Sequence, residues 1–341
     1  MDISVVIPTR DRQDSLQRLL SSLKNQSFRV HEIIVVDASQ RRLQPTDLKE
    51  TGLNGMIKYY HTSPSVTAQR NRGIREASSE YVFLCDDDME IPRDYLSEIT
   101  DYLKNNPERK VVTGIVAEKN QNGEFSDFHK ITTGRLLWNT IFQLGVWTDM
   151  EQMFKNNRNP LVTLLKQYYK RRGNTLTLAG YPLVTQFNYP HFTTKLYGFG
   201  AAVVNRNWLL EHRYDEILDE YGIGDHYRLA LQLPSSQPLT VLTSARVYHH
   251  KAGESRLEKH ITYYRRIVAL DYIFRTSDRF NLLNRIFLLW SLMGNWIAYV
   301  VKNERKMAYA AKKAFGIIIT GKNPYVLSKK AGATGPINPT I

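Results

Sequence analysis

The sequence predicts an α/β fold: an open, mostly parallel sheet with flanking helices, followed by a helical C-terminal extension. Three observations point that way. Short apolar runs at 3–7, 32–36 and 81–85 each break off at a polar or acidic group, namely Pro8-Thr9, Asp37 and Asp86-Asp87-Asp88. Helical segments separate the runs, and short β-branched strands alternating with helices read as parallel strands. Beyond residue 255 the chain reads as helical and basic.

After the first run, Leu16, Leu19, Leu20 and Leu23 mark one face of a helix, with Asp11 or Asp14 as a cap. A second helix over 66–77, capped by Ser65, leads into the strand at 81–85. A third starts near Arg93-Asp94, after Pro92, and ends around 105–107; a strand over 110–116 follows. The segment from about 120 to 197 breaks this rhythm with Trp138, Trp147, a basic run (Lys166, Lys170, Arg171, Arg172) and a Tyr/Phe/Pro-rich stretch. It reads as an insertion shaping a second binding site. Order returns with a small-residue strand over 198–204, where backbone can approach a ligand closely, and a helix from 207 to about 214. Residues 331–341 read as a flexible tail.

At 341 residues, 42% hydrophobic and 23% charged, the chain is globular and can bury a sizeable core. Cys85 is its one cysteine, so an intrachain disulfide is excluded and a reducing compartment fits; in a strand it reads as a small core residue. No signal-peptide pattern opens the chain. The net charge of +13 points to an anionic partner. Arg256, Lys259, Arg265, Arg266, Arg275, Arg279 and Arg285 precede the apolar stretch 286–301, and Lys302, Arg305, Lys306, Lys312 and Lys313 follow it. Trp290 and Trp296 lie within that stretch, which is too short and too interrupted by Ser291, Gly294 and Asn295 to span a bilayer. Basic residues and tryptophan around a short apolar segment suit peripheral attachment at an anionic, cytoplasmic membrane face, with a buried core helix as the alternative.

Ligands of open α/β sheets bind outside the carboxyl ends of the strands, so the three breaks converge on one cleft. Several acids packed together there repel one another unless a cation sits among them. Asp86 and Asp88, two apart at a strand end, can offer hard oxygens to Mg²⁺ or Mn²⁺ while leaving positions for phosphates. Asp37 can accept hydrogen bonds from a base or ribose, or be an ordinary turn aspartate.

Four segments occur in order: 5–12 (VVIPTRDR), 35–39 (VVDAS), 69–73 (QRNRG) and 83–88 (FLCDDD). Together they resemble the GT-A glycosyltransferases of family 2, the large inverting group, closely over about 1–117 and again over 197–255. The resemblance implies a Rossmann-like nucleotide-binding sheet and a catalytic domain over 1–255, with nucleotide-sugar binding in about 1–117 and the acceptor and base segment in about 198–255. Residues 256–330 would form the basic helical region. The resemblance also implies roles: Pro8, Thr9, Arg10, Asp37, Arg70, Asp86 and Asp87 on the donor side, with Asp88 ligating the metal. At 221–229 (YGIGDHYRL) it implies Asp225 as general base, although the family's usual Glu-Asp pair is here Gly224-Asp225. In 247–250 (VYHH) it implies a metal-side histidine, His249 in preference to His250.

Inverting transfer is one displacement at the anomeric carbon. A carboxylate takes the proton of the attacking hydroxyl, and cations stabilise the departing nucleoside diphosphate. The expected partners are a nucleotide-sugar donor, with UDP favoured, and a glycan or lipid-linked acceptor. On spacing alone Asp215, Glu216, Asp219 and Glu220 rival Asp225 as base, or form a solvated helical face. A nucleotidyltransferase would show a Gly-rich phosphate loop where 8–12 reads PTRDR, and an inactive glycan- or lipid-binding relative is the other alternative. Nucleic acid is not an expected partner, because the acids would repel phosphate and the basic residues cluster with apolar helices.

Overall fold

The computed structural model describes residues 1–44, 52–53, 55–119, 122–251 and 257–341. The first apolar run is a fully buried strand, β1 (Ile3–Thr9). Next comes α1 (Gln13–Lys24), which buries Leu16, Leu19, Leu20 and Leu23 as their spacing requires. Its N-cap is Arg12, with no side-chain cap bond; neither Asp11 nor Asp14 caps it. Asp11 instead takes a positive φ and accepts from the Gln40 amide. Strands β2 (Glu32–Asp37) and β3 (Ile57–His61) follow. Helix α2 (Val66–Glu76) is capped by Ser65, whose side chain accepts from the Ala68 amide. Then come β4 (Tyr81–Cys85), β5 (Met89–Glu90), α3 (Tyr95–Asn105), β6 (Val111–Lys119) and β7 (Phe125–Ser126).

The middle of the chain holds α4 (Thr133–Ile141), β8 (Val146–Trp147), α5 (Met150–Met153), α6 (Pro160–Arg172), β9 (Thr175–Leu176) and β10 (Pro182–Val184). After it come β11 (His191–Thr194), β12 (Ala201–Asn205), α7 (Arg206–Glu211), α8 (Asp225–Ala230) and β13 (Leu239–His249). The C-terminal part is helical, as expected: α9 (Lys259–Thr276), α10 (Leu282–Val301), α11 (Arg305–Thr320) and α12 (Pro324–Lys330).

The main sheet runs β11-β13-β6-β12-β4-β1-β2-β3. Strands β3, β2, β1 and β4 pair in parallel; β12 is antiparallel to both β4 and β6, and β13 pairs β6 in parallel. Apart from β12 and β11, the strands along this path therefore share one direction, and the register Thr9↔Asp37 puts the ends of β1 and β2 side by side. A mostly parallel α/β sheet is what the sequence predicted. Cys85 is buried in its core, and burial pushes its thiol well above the ordinary value.

The chain forms two compact units. The first comprises 1–129, 187–214 and 229–256 and holds the main sheet; the second comprises 130–186, 215–228 and 257–341. This division differs from the expected one, because most of the insertion and residues 215–228 group with the C-terminal helices. The expected boundary at 255/256 and Arg256 lie outside the described residues.

In the second unit, Leu136, Val146, Met150, Val162, Leu165 and Tyr169 form one cluster. The buried Asp271 accepts hydrogen bonds from Arg275 and Asn323, with Arg285 3.6 Å away, tying α9 to the helices after it. Ser291, Gly294 and Asn295, which interrupt the apolar stretch in sequence, all lie on the buried face of α10. Gly294 sits there because an added Cβ would fall 2.3 Å from the Phe142 ring. Residues 331–341, read from sequence as a flexible tail, hydrogen-bond to other parts of the second unit. The Ile337 amide donates to the Ile217 carbonyl, and the buried Arg265 guanidinium donates to the Pro339 carbonyl and the Asn338 side chain. A buried guanidinium needs acceptors, and this segment supplies two of them.

Candidate active site

In the first unit the ends of β1, β2 and β4 lie side by side. Gln69, buried on α2, donates to the carbonyls of Thr9 (2.8 Å) and Val36 (2.7 Å) and so ties the two strand ends together. Asp37 is fully buried: one oxygen accepts from the Ser39 amide (2.8 Å), the other from the Tyr59 hydroxyl (2.8 Å). As placed, it shapes the turn after β2. Burial and the Asp37 carboxylate push the Tyr59 hydroxyl up to about 12, so it remains a donor.

The three consecutive aspartates take three different partners. Asp86 accepts from Arg70 at 2.6 Å, and the Arg70 guanidinium lies over the Tyr214 ring. Asn71 and the Tyr214 backbone exchange two hydrogen bonds, both 3.0 Å, which hold that ring in place. Asp87 accepts from the Thr9 hydroxyl (2.8 Å) and from Arg12 (3.0 Å). Burial raises its carboxyl to about 6 against the pull of Arg12. Asp88 faces the His249 ring at 3.1 Å, with Arg12 3.9 Å from its other oxygen. The repulsion that the sequence assigned to a metal is thus balanced in this structure by Arg12, Arg70 and His249.

His249 is held from behind. Its Nδ1 lies 3.3 Å from Glu118, whose other oxygen accepts from Lys251 at 2.6 Å. Burial opposes charge on the ring, but Asp88 and Glu118 outweigh it and hold His249 up at about 9. Burial likewise opposes a charged Glu118, yet His249 and Lys251 bring it down to about 2. His250, the neighbour, faces Glu90 instead at 2.7 Å. Gly200 lets the reversed strand pass close by: a Cβ there would fall 2.2 Å from the Asp86 carboxylate. The close approach expected of this small-residue strand is therefore toward a side chain of the cleft.

Among the described residues no three His, Cys, Asp or Glu side chains are grouped to hold a metal. Asp88 and the Nε2 of His249 face one another at the strand ends, a carboxylate and an imidazole. Those two side chains could hold Mn²⁺ or Mg²⁺ if the metal displaced the proton that Asp88 and Glu118 keep on the ring. Pro8 and Thr9 end β1, and Arg10 follows beside Asp11 at 3.8 Å.

Asp225 belongs to the second unit. It is buried at the start of α8, with one oxygen accepting from the His226 amide. Gly224 before it has φ +97°, and a Cβ there would meet Ala269 at 3.1 Å. The family's glutamate is absent at a position whose backbone favours glycine. Among the rival acids, Asp219 is fully buried and bound by Arg265 at 3.1 Å, and Asp215 is held by Tyr272 and Arg228. Residues 215–224 are turns, so the helical face read from spacing does not form.

Arg12, Gln69 and Glu118 had no assigned role in the sequence reading. Arg12 and Gln69 stand inside the quoted motifs, but Glu118 meets His249 only through the β6–β13 register, which no local signal encodes.

The Glycosyl transferase family 2 pattern matches residues 4–174. A Campylobacter jejuni "GalNAc(5)-diNAcBac-PP-undecaprenol beta-1,3-glucosyltransferase" is 33% identical over 105 residues, 28% of this chain and 33% of that one. The chain matches about a third of the length of each of its curated relatives. In fold it is similar to S. aureus TarS 1-349 in complex with UDP-GlcNAc (TM-score 0.53, 17% identity, covering 93% of this chain and 81% of that one). It is also similar to GalNAc-T7 with UDP, GalNAc and Mn²⁺ (TM-score 0.52, 15% identity, 80% and 48%).

Proposed function

The chain belongs to Glycosyl transferase family 2, and from that premise we propose that it is an inverting glycosyltransferase taking its sugar from a nucleoside-diphosphate donor, UDP-linked in preference. The observation that carries this reading is the charged cluster at the strand ends, where Asp86, Asp87 and Asp88 face Arg70, Arg12 and His249. UDP-GlcNAc in the TarS complex supports the donor class.

In this reading the turn shaped by Asp37 receives the base, and Pro8, Thr9 and Arg10 line the nucleotide pocket. Asp86 and Arg70 hold the ribose and diphosphate side, and Asp87 anchors Arg12 next to them. Asp88 and His249 would hold Mn²⁺ or Mg²⁺, which supplies positive charge for the leaving diphosphate. Arg12 and Arg70 add fixed cationic donors to the same end. Asp225 takes the proton from the attacking hydroxyl of a glycan or lipid-linked acceptor. The Campylobacter relative's undecaprenol-linked substrate supports the lipid-linked option and a working place at the cytoplasmic membrane face.

The test is a thermal-shift screen of UDP-, GDP- and dTDP-sugars with and without Mn²⁺, followed by turnover of the stabilising donor. A ligand that binds the folded state raises its melting point by mass action. UDP-sugars with metal should give the largest shift. Absence of any shift, or binding without sugar release to acceptor or water, would overturn the reading in favour of an inactive relative.

A further inference from the structure

Helix α10 packs one face against the protein and leaves an apolar face outward. Leu288, Ser291, Leu292, Gly294 and Asn295 pack inward. At about 3.6 residues per turn, Leu282, Leu283, Ile286, Trp290, Met293, Trp296, Val300 and Val301 fall together on the other side, and all are exposed. This is no frayed end: the face runs the full twenty residues of the helix. Leu282 is 67% exposed at one end and Val301 81% at the other. Trp290 is fixed in place, its indole N–H donating to the Ile141 carbonyl at 2.8 Å and its ring stacked on Phe142. Ile141 is itself half exposed and extends the patch.

A continuous apolar helix face belongs against a protein core or in lipid. Here one half has its protein core and the other does not. The charge around it identifies the missing partner. From 277 to 330 the chain carries ten Lys and Arg against two acids, and Arg279, Lys302 and Arg305 stand exposed at the two ends of the helix. A second copy would press this basic rim against itself, because a two-fold interface pairs each patch with its own equivalent. An anionic lipid surface complements it. Among the described residues no helix is long and apolar enough to cross a membrane, so the face suits lying along the interface.

We propose that the outward face of α10 docks on an anionic lipid bilayer, with Trp290 and Trp296 at headgroup level and Arg279, Lys302 and Arg305 on the phosphates. This deepens the proposed work on a membrane-linked acceptor by naming the surface that reaches the membrane.

Sedimentation with phosphatidylcholine vesicles, with and without phosphatidylglycerol, tests it. The full chain should bind the anionic vesicles, more weakly as salt rises, and Trp emission should shift to the blue. The double variant Ile286→Asp/Met293→Asp should bind at least about tenfold more weakly, because charges replace the side chains that would enter the lipid. Ile286→Leu/Met293→Leu should bind like the parent. Lys302→Glu/Arg305→Glu should weaken binding by about fivefold or more per charge. These positions are exposed, and unchanged UDP binding would verify that each variant is folded. Equal binding of the Asp variant and the parent would overturn the proposal, as would the absence of any preference for anionic vesicles. A parent dimer that the Asp variant dissolves, without vesicle binding, would overturn it in favour of a second copy. Failure of the transferase reading would appear separately, as vesicle binding by a protein that turns over no sugar nucleotide.

Discussion

At the scale of single residues, the cleft is an arrangement of opposed charges whose members are held by partners far away in sequence. Glu118 holds His249, the proposed metal-side histidine, so Glu118→Gln should weaken metal-dependent UDP binding by about 10–100-fold, the range for losing the partner of a metal-binding histidine. Isothermal titration with UDP at varied Mn²⁺ checks this, and metal-free UDP binding should change less. Asp225→Asn should keep donor binding and lower transfer by about 10²–10⁴-fold, as expected for a lost base. Comparing its rate with that of Asp219→Asn separates the two acids. Asp219 is already committed to Arg265, so its variant should show first as a lower melting point. Legibility at this scale followed distance along the chain. Thr9, Asp37 and the three aspartates stand where apolar runs stop, and a run's end is a local signal. The pairing of Asp88 with His249, and of His249 with Glu118, joins strand ends that come together only in the folded sheet.

Among elements, β1, β2, β4, β6 and the three helices of the first 117 residues were readable because their hydrophobic periods are regular and their stops are polar, whereas β3, half exposed, and the two-residue β5 carry no such run. The cap of α1 was missed because the chain enters it through a positive φ at Asp11, a choice of backbone that composition does not reveal. The reversal of β12 was likewise hidden, since a run of small and β-branched residues gives no direction. Two predictions belong here. Gly200→Ala would place a methyl against Asp86, so UDP affinity should fall and the melting point with it; a calorimetric scan and a titration measure both. Glu32, at the start of β2, accepts from Ser4 on β1, from Ser78 and from Lys58 on β3. Burial alone would raise its carboxyl, but these donors bring it down to about 2. A depressed carboxylate contributes stability above its unfolded value of about 4.3 and loses it as pH falls toward the folded value. Glu32→Gln should therefore cost about 1–3 kcal/mol at neutral pH, with the gap to the parent narrowing below about pH 4. Melting points recorded from pH 3 to pH 7 would show it.

For the whole molecule, composition and charge foretold a basic, helical C-terminal region but not how the chain divides. Residues 215–228 join the helices after 257 because Asp219 finds Arg265 there, and Asp215 finds Lys329 and the Tyr272 hydroxyl. The last segment completes Arg265, so ending the chain before residue 335 should destabilise the protein by about 1–3 kcal/mol through lost acceptors at a buried charge. Chemical denaturation monitored by tryptophan emission checks it, with UDP binding expected to persist. The three aspartates after β4 carry a further consequence. Written in a row they look like redundant copies, yet one is moored to α2, one to the turn before α1 and one to the end of β13. The tripeptide is a junction where three strands of the chain's history meet, and its members are not exchangeable. Changing the first unfastens a helix, the second a loop and the third the end of β13.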